Sequence, residues 1–191
     1  MTDIGLAARI AAAGFQADPV MSWVMPDDDQ RRELLLVAFT GLAASFEKDE
    51  HSVLDIVDDG CVSMWRSPAW TAPPPPDEPG PSPWPADVAE RFRILSESME
   101  VVHPHEPHWY LNVLGTHPDR QGQGLGARAL ARVLERVDAE SAPAYLESSN
   151  PRNMTLYRRH GFVEMDATIE LPDGPSLYPM WRETRGPGGV R

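Results

Sequence analysis

The stretch from Leu111 to Arg136, LNVLGTHPDRQGQGLGARALARVLER, decides the fold. Together with His108, Trp109 and Tyr110 its first residues form an apolar run, His108 to Leu114, suited to a buried strand. The chain then turns at Gly115-Thr116-His117-Pro118-Asp119-Arg120 and passes the glycine-rich segment Gln121-Gly122-Gln123-Gly124-Leu125-Gly126. Beyond it, Leu125, Leu130, Val133, Leu134 and Val137 recur at roughly three- and four-residue steps, which predicts a helix. Glycine lets the main chain approach a ligand closely, and the unpaired N–H groups of a first helical turn point at an anion. The stretch predicts a phosphate site.

Three kinds of phosphate loop compete for this pattern. A nucleoside-triphosphate loop ends in Gly-Lys-Ser/Thr, and neither a lysine nor a hydroxyl residue follows these glycines. A dinucleotide fingerprint places its third glycine three residues after the second, whereas Gly126 follows Gly124 by two. What remains is Gln/Arg-x-x-Gly-x-Gly, matched by Gln121, Gly124 and Gly126. This resembles the acetyl-CoA pyrophosphate loop of the GNAT superfamily of N-acetyltransferases.

A second segment strengthens the resemblance. Ala144-Tyr145-Leu146-Glu147 reads as a strand, followed by Ser148-Ser149-Asn150-Pro151-Arg152-Asn153 and by Met154 to Phe162 with its Leu156-Tyr157 pair and closing Gly161-Phe162. A strand, an asparagine turn, a short tyrosine-bearing helix and Gly-Phe are similar to the second half of the GNAT cofactor site. From Met99 to Trp181 the wording also resembles puromycin N-acetyltransferase-like proteins. The shared features are Glu106-Pro107-x-Trp109, Leu146-Glu147-Ser148, Pro151-Arg152-Asn153 and the turn Pro172-Asp173-Gly174-Pro175.

The resemblance implies an α/β (α+β) GNAT fold. That is a mixed central β-sheet with helices on both faces, whose splayed central strands form an acetyl-CoA cleft, in one domain over residues 1–191. It implies acetyl-CoA as co-substrate and no metal. The N–H groups of Gln121, Gly122, Gln123, Gly124, Leu125 and Gly126 would grip the pyrophosphate, and main-chain groups near Val113 and Leu114 would pair with the pantetheine arm. A backbone N–H at the strand end would polarise the thioester carbonyl. Asn153 would anchor the cofactor or the turn. Tyr157 matches the family's general acid, which protonates the departing thiolate; its alternative role is that of a core tyrosine. For the base, Glu147 stands first, because a carboxylate in a partly apolar cleft can be raised toward the operating pH. His103 stands second, and a water relay or an already neutral amine third.

Bulk properties bound the rest. A chain of 191 residues with 41% hydrophobic content can bury a full core in one domain. Its net charge of -12 argues against sequence-independent binding of nucleic acid or of anionic membrane. An acidic surface suits a cationic amine, though it also serves solubility alone. A single cysteine, Cys61, leaves no internal disulfide and fits a reducing cytoplasm. No basic-then-apolar leader opens the sequence, and no run approaches a membrane span.

Along the chain, Leu6 to Phe15 predicts a helix, and Asp18 to Pro26 a loop that leaves it through Pro19. On the family pattern Trp23 and Met25 would line the acceptor side; packing on the sheet is their other reading. Only five residues precede Leu6, so the family's opening strand is expected to be absent or very short. Asp27-Asp28-Asp29 suits a helix start better than a metal, and Gln30 to Lys48 would turn Leu34, Val37 and Leu42 to a core. His51 to Val57 and Cys61 to Trp65 predict a hairpin about Asp58-Asp59-Gly60. The proline-rich stretch of about 67–85 predicts an exposed loop, either spacer or flap. Ala86 to Val102 returns to helix.

His103-Pro104-His105-Glu106-Pro107-His108 has the residue types of a zinc site but lacks partner ligands at zinc spacing. His103 or His108 could instead accept a proton at the cleft, or be plain loop histidines. Val163 to Leu171 and Leu177 to Trp181 predict the last strands, and residues 183–191 a frayed tail. The expected function is acetyl transfer from acetyl-CoA to a primary amine of a small molecule, by direct attack in a ternary complex, in a cytoplasmic monomer or homodimer. A protein N-terminal or lysine acetyltransferase is the same-class alternative, and a catalytically silent acyl-CoA-binding module the different-class one.

Overall fold

A computed structural model describes residues 3–72 and 82–184. The middle of the expected proline-rich loop and most of the expected frayed tail lie outside the described residues. Seven strands form one sheet: β1 (Ser52–Val57), β2 (Cys61–Arg66), β3 (Trp109–Thr116), β4 (Ala144–Ser148), β5 (Val163–Glu164), β6 (Ile169–Glu170) and β7 (Ser176–Arg182). Their order is β1-β2-β3-β4-β7-β5, with β6 also on β7. The pairing of β3 with β4 is parallel and the others are antiparallel. The expected mixed sheet is therefore present.

The β1–β2 turn follows from its residues. Asp58 and Asp59, the first two of the three residues between paired Val57 and Cys61, both lie at positive φ, 48° and 49°, a backbone that aspartate tolerates. The next irregularity matters more. Met64 of β2 faces Val113 of β3, but Trp65 faces Leu111, so Asn112 is an extra residue on β3. Such a bulge bends the strand and interrupts its alternation. Accordingly Trp109 and Leu111 join one core cluster, whereas Val113 joins the cluster on the other face. Pairing with β4 covers only Trp109↔Ala144 and Tyr110↔Tyr145 and stops just before the bulge. Beyond it the two strands separate.

Helices cover both faces. Helices α1 (Ile4–Phe15), α2 (Pro19–Val24), α3 (Asp28–Lys48) and α4 (Ala86–Glu100) pack with Val62, Met64 and Val113. Helices α5 (Leu125–Ala139) and α6 (Pro151–Arg159) pack with Trp65, Trp109, Leu111 and Leu146. The alanine-rich composition of α1 is what lets it reach β3. A Cβ on Gly14 would lie 3.0 Å from the Thr116 carbonyl oxygen, and one on Gly115 would lie 3.3 Å from Ala11 Cα.

Some expectations change. The segment after α1 is a helix rather than a loop: Asp18 caps it, accepting from the Val20 and Met21 N–H groups, and Pro19 occupies its first turn. In α3 the buried stripe is Leu35, Phe39, Ala43 and Phe46. Leu34 and Leu42 sit at its flanks, and Val37 points outward, 58% exposed. Residues 163–171 do not form one strand, because two short pieces each pair with β7. Among the described residues no strand precedes α1, and β1 forms that edge of the sheet.

Arg31 holds the corner where α1, α2 and α3 meet. It is 5% exposed, donates to the Gln16 carbonyl at 2.8 Å and the Met25 carbonyl at 2.6 Å, and pairs with Asp28. Replacing it by Leu leaves two buried carbonyls without a charged donor. Arg31→Leu should lower unfolding free energy by about 2–3 kcal/mol in urea titration; an unchanged midpoint would show that the corner is held by apolar packing alone.

Candidate functional site

The predicted phosphate loop borders a cavity of about 560 Å³. The 3-10 turn Pro118–Arg120 and the start of α5 form one wall, and the start of α6 forms the other. Gly122 and Gly124 adopt φ of +73° and +74°, a region that glycine enters freely. Gly124 is the N-cap of α5 and makes no side-chain cap, so the first N–H groups of that helix are left for a ligand. Arg120, Arg152 and Arg159 also line the cavity. Three arginines lining one cavity in a chain of net charge -12 make its wall locally basic. Gln123 does not line it: its amide nitrogen donates to the Asp119 carbonyl at 3.4 Å and its oxygen accepts from Arg120. Asn150 takes the turn role, capping α6 by accepting from the Arg152 N–H, which leaves Asn153 on the cavity wall.

A second cavity, about 440 Å³, occupies the split between β3 and β4. Val113, Leu114, Leu146, Glu147 and Tyr157 line it, and Asp18 lines both cavities. Where β3 has left β4, its main-chain groups on that side have no strand partner. Tyr157 projects from α6, 7% exposed; burial, then the charge of Asp18, pushes its phenol well above the ordinary range. It is thus a neutral O–H near pH 7.

Glu147 stands at the end of β4 with its side chain 2% exposed. His103 Nδ1 lies 3.5 Å from its Oε1, yet among the described residues that oxygen has no hydrogen-bond partner. The rings of Tyr110 and Tyr145 meet His103 edge-on at 5.0 and 4.9 Å, and His108 lies 5.0 Å away. Burial and then the negative charge of Glu147 push both tyrosines upward, so both remain neutral. A third cavity, about 900 Å³, runs beneath this cluster along residues 103–108. It shares Ser96, Met99, Tyr110 and Asn112 with the second. Phosphate loop, split and cluster thus follow one another as adjoining chambers.

Residues 88–162 match the model of the Acetyltransferase (GNAT) family. A solved structure from Corynebacterium glutamicum, described as "histone acetyltransferase HPA2 and related acetyltransferase", superposes with a TM-score of 0.67 at 23% identity. The superposition covers 98% of this chain and 96% of that one. This is the GNAT fold. A mycothiol acetyltransferase of Geodermatophilus obscurus is 39% identical over 80 residues, 37% of this chain. The chain spans about a quarter (26%) of that relative's length.

Within this GNAT fold, most of the expected residues converge. Gln121, Gly122, Gly124, Leu125, Gly126 and Asn153 border the first cavity, while Val113, Leu114, Glu147 and Tyr157 border the second. His103 meets them from the third. The two acceptor residues expected near α2 do not. Met25 is fully buried in the core, and Trp23 donates through Nε1 to the Pro172 carbonyl at 3.0 Å. The reason is the helix: its turn carries Trp23 and Met25 away and brings Val20 and Met21 to the cleft. Sequence reasoning passed over Asp18, Tyr110 and the three arginines. Asp18-Pro19 was readable as a cap followed by a first-turn proline. The arginines carry no comparable signal in a chain whose basic residues are nearly all arginine.

The half-buried His108 adds a pH signature. Its Nδ1 is 2.6 Å from the Glu106 carbonyl oxygen, and burial, the largest influence, pushes its pKa down. A base with a depressed folded pKa stabilises the fold above its unfolded value of about 6.5, and that stability fades as pH falls through the lower folded value. Melting temperature should therefore drop as pH falls below about 6.5, and more steeply than in His108→Phe; parallel pH curves for the two proteins would remove His108 from the account.

Proposed function

We propose that the chain is an acyl-CoA-dependent N-acyltransferase that moves an acetyl group from acetyl-CoA to the primary amine of a small molecule. The observation that carries this reading is the adjacency of the chambers. A basic, helix-headed pocket meets, at Asp18, a split lined by a neutral tyrosine and a buried carboxylate. On this reading Arg120, Arg152, Arg159 and the loop N–H groups hold the phosphates. Main-chain groups of β3 near Val113 and Leu114 pair with the pantetheine arm, as a strand would have done.

The transfer balances with these residues alone. Glu147 takes a proton from the bound ammonium, and His103 beside it passes that proton toward the third chamber. The neutral amine nitrogen attacks the thioester carbonyl carbon, forming C–N, while an N–H of β3 receives the developing negative charge on oxygen. Collapse breaks C–S. The thiolate takes the Tyr157 proton, and the second nitrogen proton restores the tyrosine, so one proton is released per turnover. The amine and the thioester must be present together, because this route forms no acyl-enzyme.

The likeness to puromycin N-acetyltransferase-like proteins belongs to the same reading and makes puromycin one amine to try. The buried, free Cys61 suits a reducing cytoplasm. No described helix is long and apolar enough to cross a membrane.

Calorimetric titration of acetyl-CoA tests the donor site. Wild type should bind, and Gly124→Trp should not, since φ of +74° strains any side chain there and an indole would stand at the head of α5. A folded wild type that binds no acetyl-CoA would sink the reading. Tyr157→Phe should keep acetyl-CoA affinity and lose about a hundredfold or more in kcat. An unchanged kcat would return Tyr157 to a packing role, and binding without turnover of any amine would favour a silent acyl-CoA-binding module.

A further inference from the structure

The wall of the second cavity separates into a charged part and an apolar part. Its charged members are two carboxylates, Asp18 and Glu147. Asp18 is fully engaged. Its Oδ1 accepts from the Val20 and Met21 N–H groups at 3.0 and 3.1 Å, and its Oδ2 accepts the Ser149 hydroxyl at 2.5 Å. Glu147 is less fully engaged. The Tyr110 and Tyr145 hydroxyls bear on its carboxylate. His103 Nδ1 lies 3.5 Å from its Oε1, but that oxygen is buried without a hydrogen-bond partner among the described residues. A buried carboxylate oxygen in that state is costly, and one cation within contact distance removes the cost. The remaining wall, toward α1, α3 and α4, is apolar apart from Ser96, with Phe15, Phe39, Leu42, Phe92, Leu95 and Met99 at the inner end.

We propose that this cavity receives a primary amine bearing one positive charge on an apolar body about as large as an aromatic ring. The inference rests on the N-acyltransfer reading and names its acceptor class. The ammonium sits against Glu147, with the ring of Tyr110 beside it. The body lies among Phe39, Phe92 and Met99. One carboxylate with one unpartnered oxygen matches one charge. A second ammonium, as in a linear diamine, would come to rest against phenylalanine and leucine side chains with no counter-charge. A peptide reaching the inner end would bring backbone N–H and C=O groups against the phenylalanine and leucine side chains there, which offer them no partner. A chamber of about 440 Å³ lies within the range that holds small organic ligands.

The test holds the donor constant as acetyl-CoA and follows thiol release with 2-phenylethylamine, n-hexylamine, ethanolamine, putrescine and a lysine-containing peptide. The first two should show kcat/KM at least about tenfold above the others, the scale set by burying a few methylene groups. Met99→Trp, which narrows the chamber, should lower kcat/KM for 2-phenylethylamine about tenfold or more while leaving acetyl-CoA affinity and melting temperature as in wild type. Equal or better use of putrescine, ethanolamine or the peptide overturns the acceptor class and leaves N-acyltransfer standing. So does a Met99→Trp protein that still binds acetyl-CoA and turns over 2-phenylethylamine unchanged. Turnover of no amine by a protein that binds acetyl-CoA overturns both.

Discussion

One extra residue on β3 shapes the whole cleft. In an unbroken parallel pair, β3 and β4 would stay hydrogen-bonded along their shared length and leave no room between them. Asn112 breaks that register against β2, and the pairing with β4 ends one residue pair earlier, at Tyr110↔Tyr145. The main chain of β3 then runs on to Thr116 beside a gap. Everything chemical follows from this separation. Glu147 and Ser149 lie on the far side of the gap, Tyr157 comes from the helix beyond it, and the glycine loop begins where β3 stops. Closing the gap would pair the strands and erase the site.

A separated sheet must be held open from outside, and large side chains supply the hold. Trp65, Trp109, Tyr145 and Phe162 are almost fully buried, and each removes a large apolar area from water. On the opposite face α1 lies close to β3 through Gly14, Gly115 and Ala11. Asp18 then bridges the two lips of the cleft: its carboxylate caps α2 on one lip and accepts the Ser149 hydroxyl on the other. Burial pushes that carboxyl group up, while the bonds from Ser149 and from the Val20 and Met21 N–H groups pull it back. The cost of burying Asp18 is thus offset locally, whereas Glu147 is buried with its Oε1 unpartnered among the described residues.

The conformation of the glycine loop was legible because its glycines serve local backbone needs. Positive φ at Gly122 and Gly124 is written in two residues and does not depend on distant packing. Strands, most helices and the aspartate turn were legible for the same reason. The acceptor side was not. Whether Trp23 or Met21 faces the cleft depends on one turn of α2, and a rotation of that turn exchanges them without altering composition. Val37 failed similarly: in α3 the buried stripe runs through Leu35 and Phe39, and a run of apolar neighbours, Leu34 to Val37, does not say which of them it contains. The gathering of His103, His108, Tyr110 and Tyr145 about Glu147 joins residues up to 44 positions apart, and no local pattern announces it.

The chambers also have an order. The phosphate pocket adjoins the split at Asp18, the large chamber under residues 103–108 adjoins it at Tyr110 and Asn112, and those two outer chambers share no wall. Two molecules can therefore approach without passing through one another's doorway. A single molecule long enough to reach both outer chambers would be gripped twice, its second contact forming at the effective concentration its own tether imposes. The avidity of such a molecule would be set by the length of its spacer, since the bulge at Asn112 fixes how wide a gap the spacer must cross.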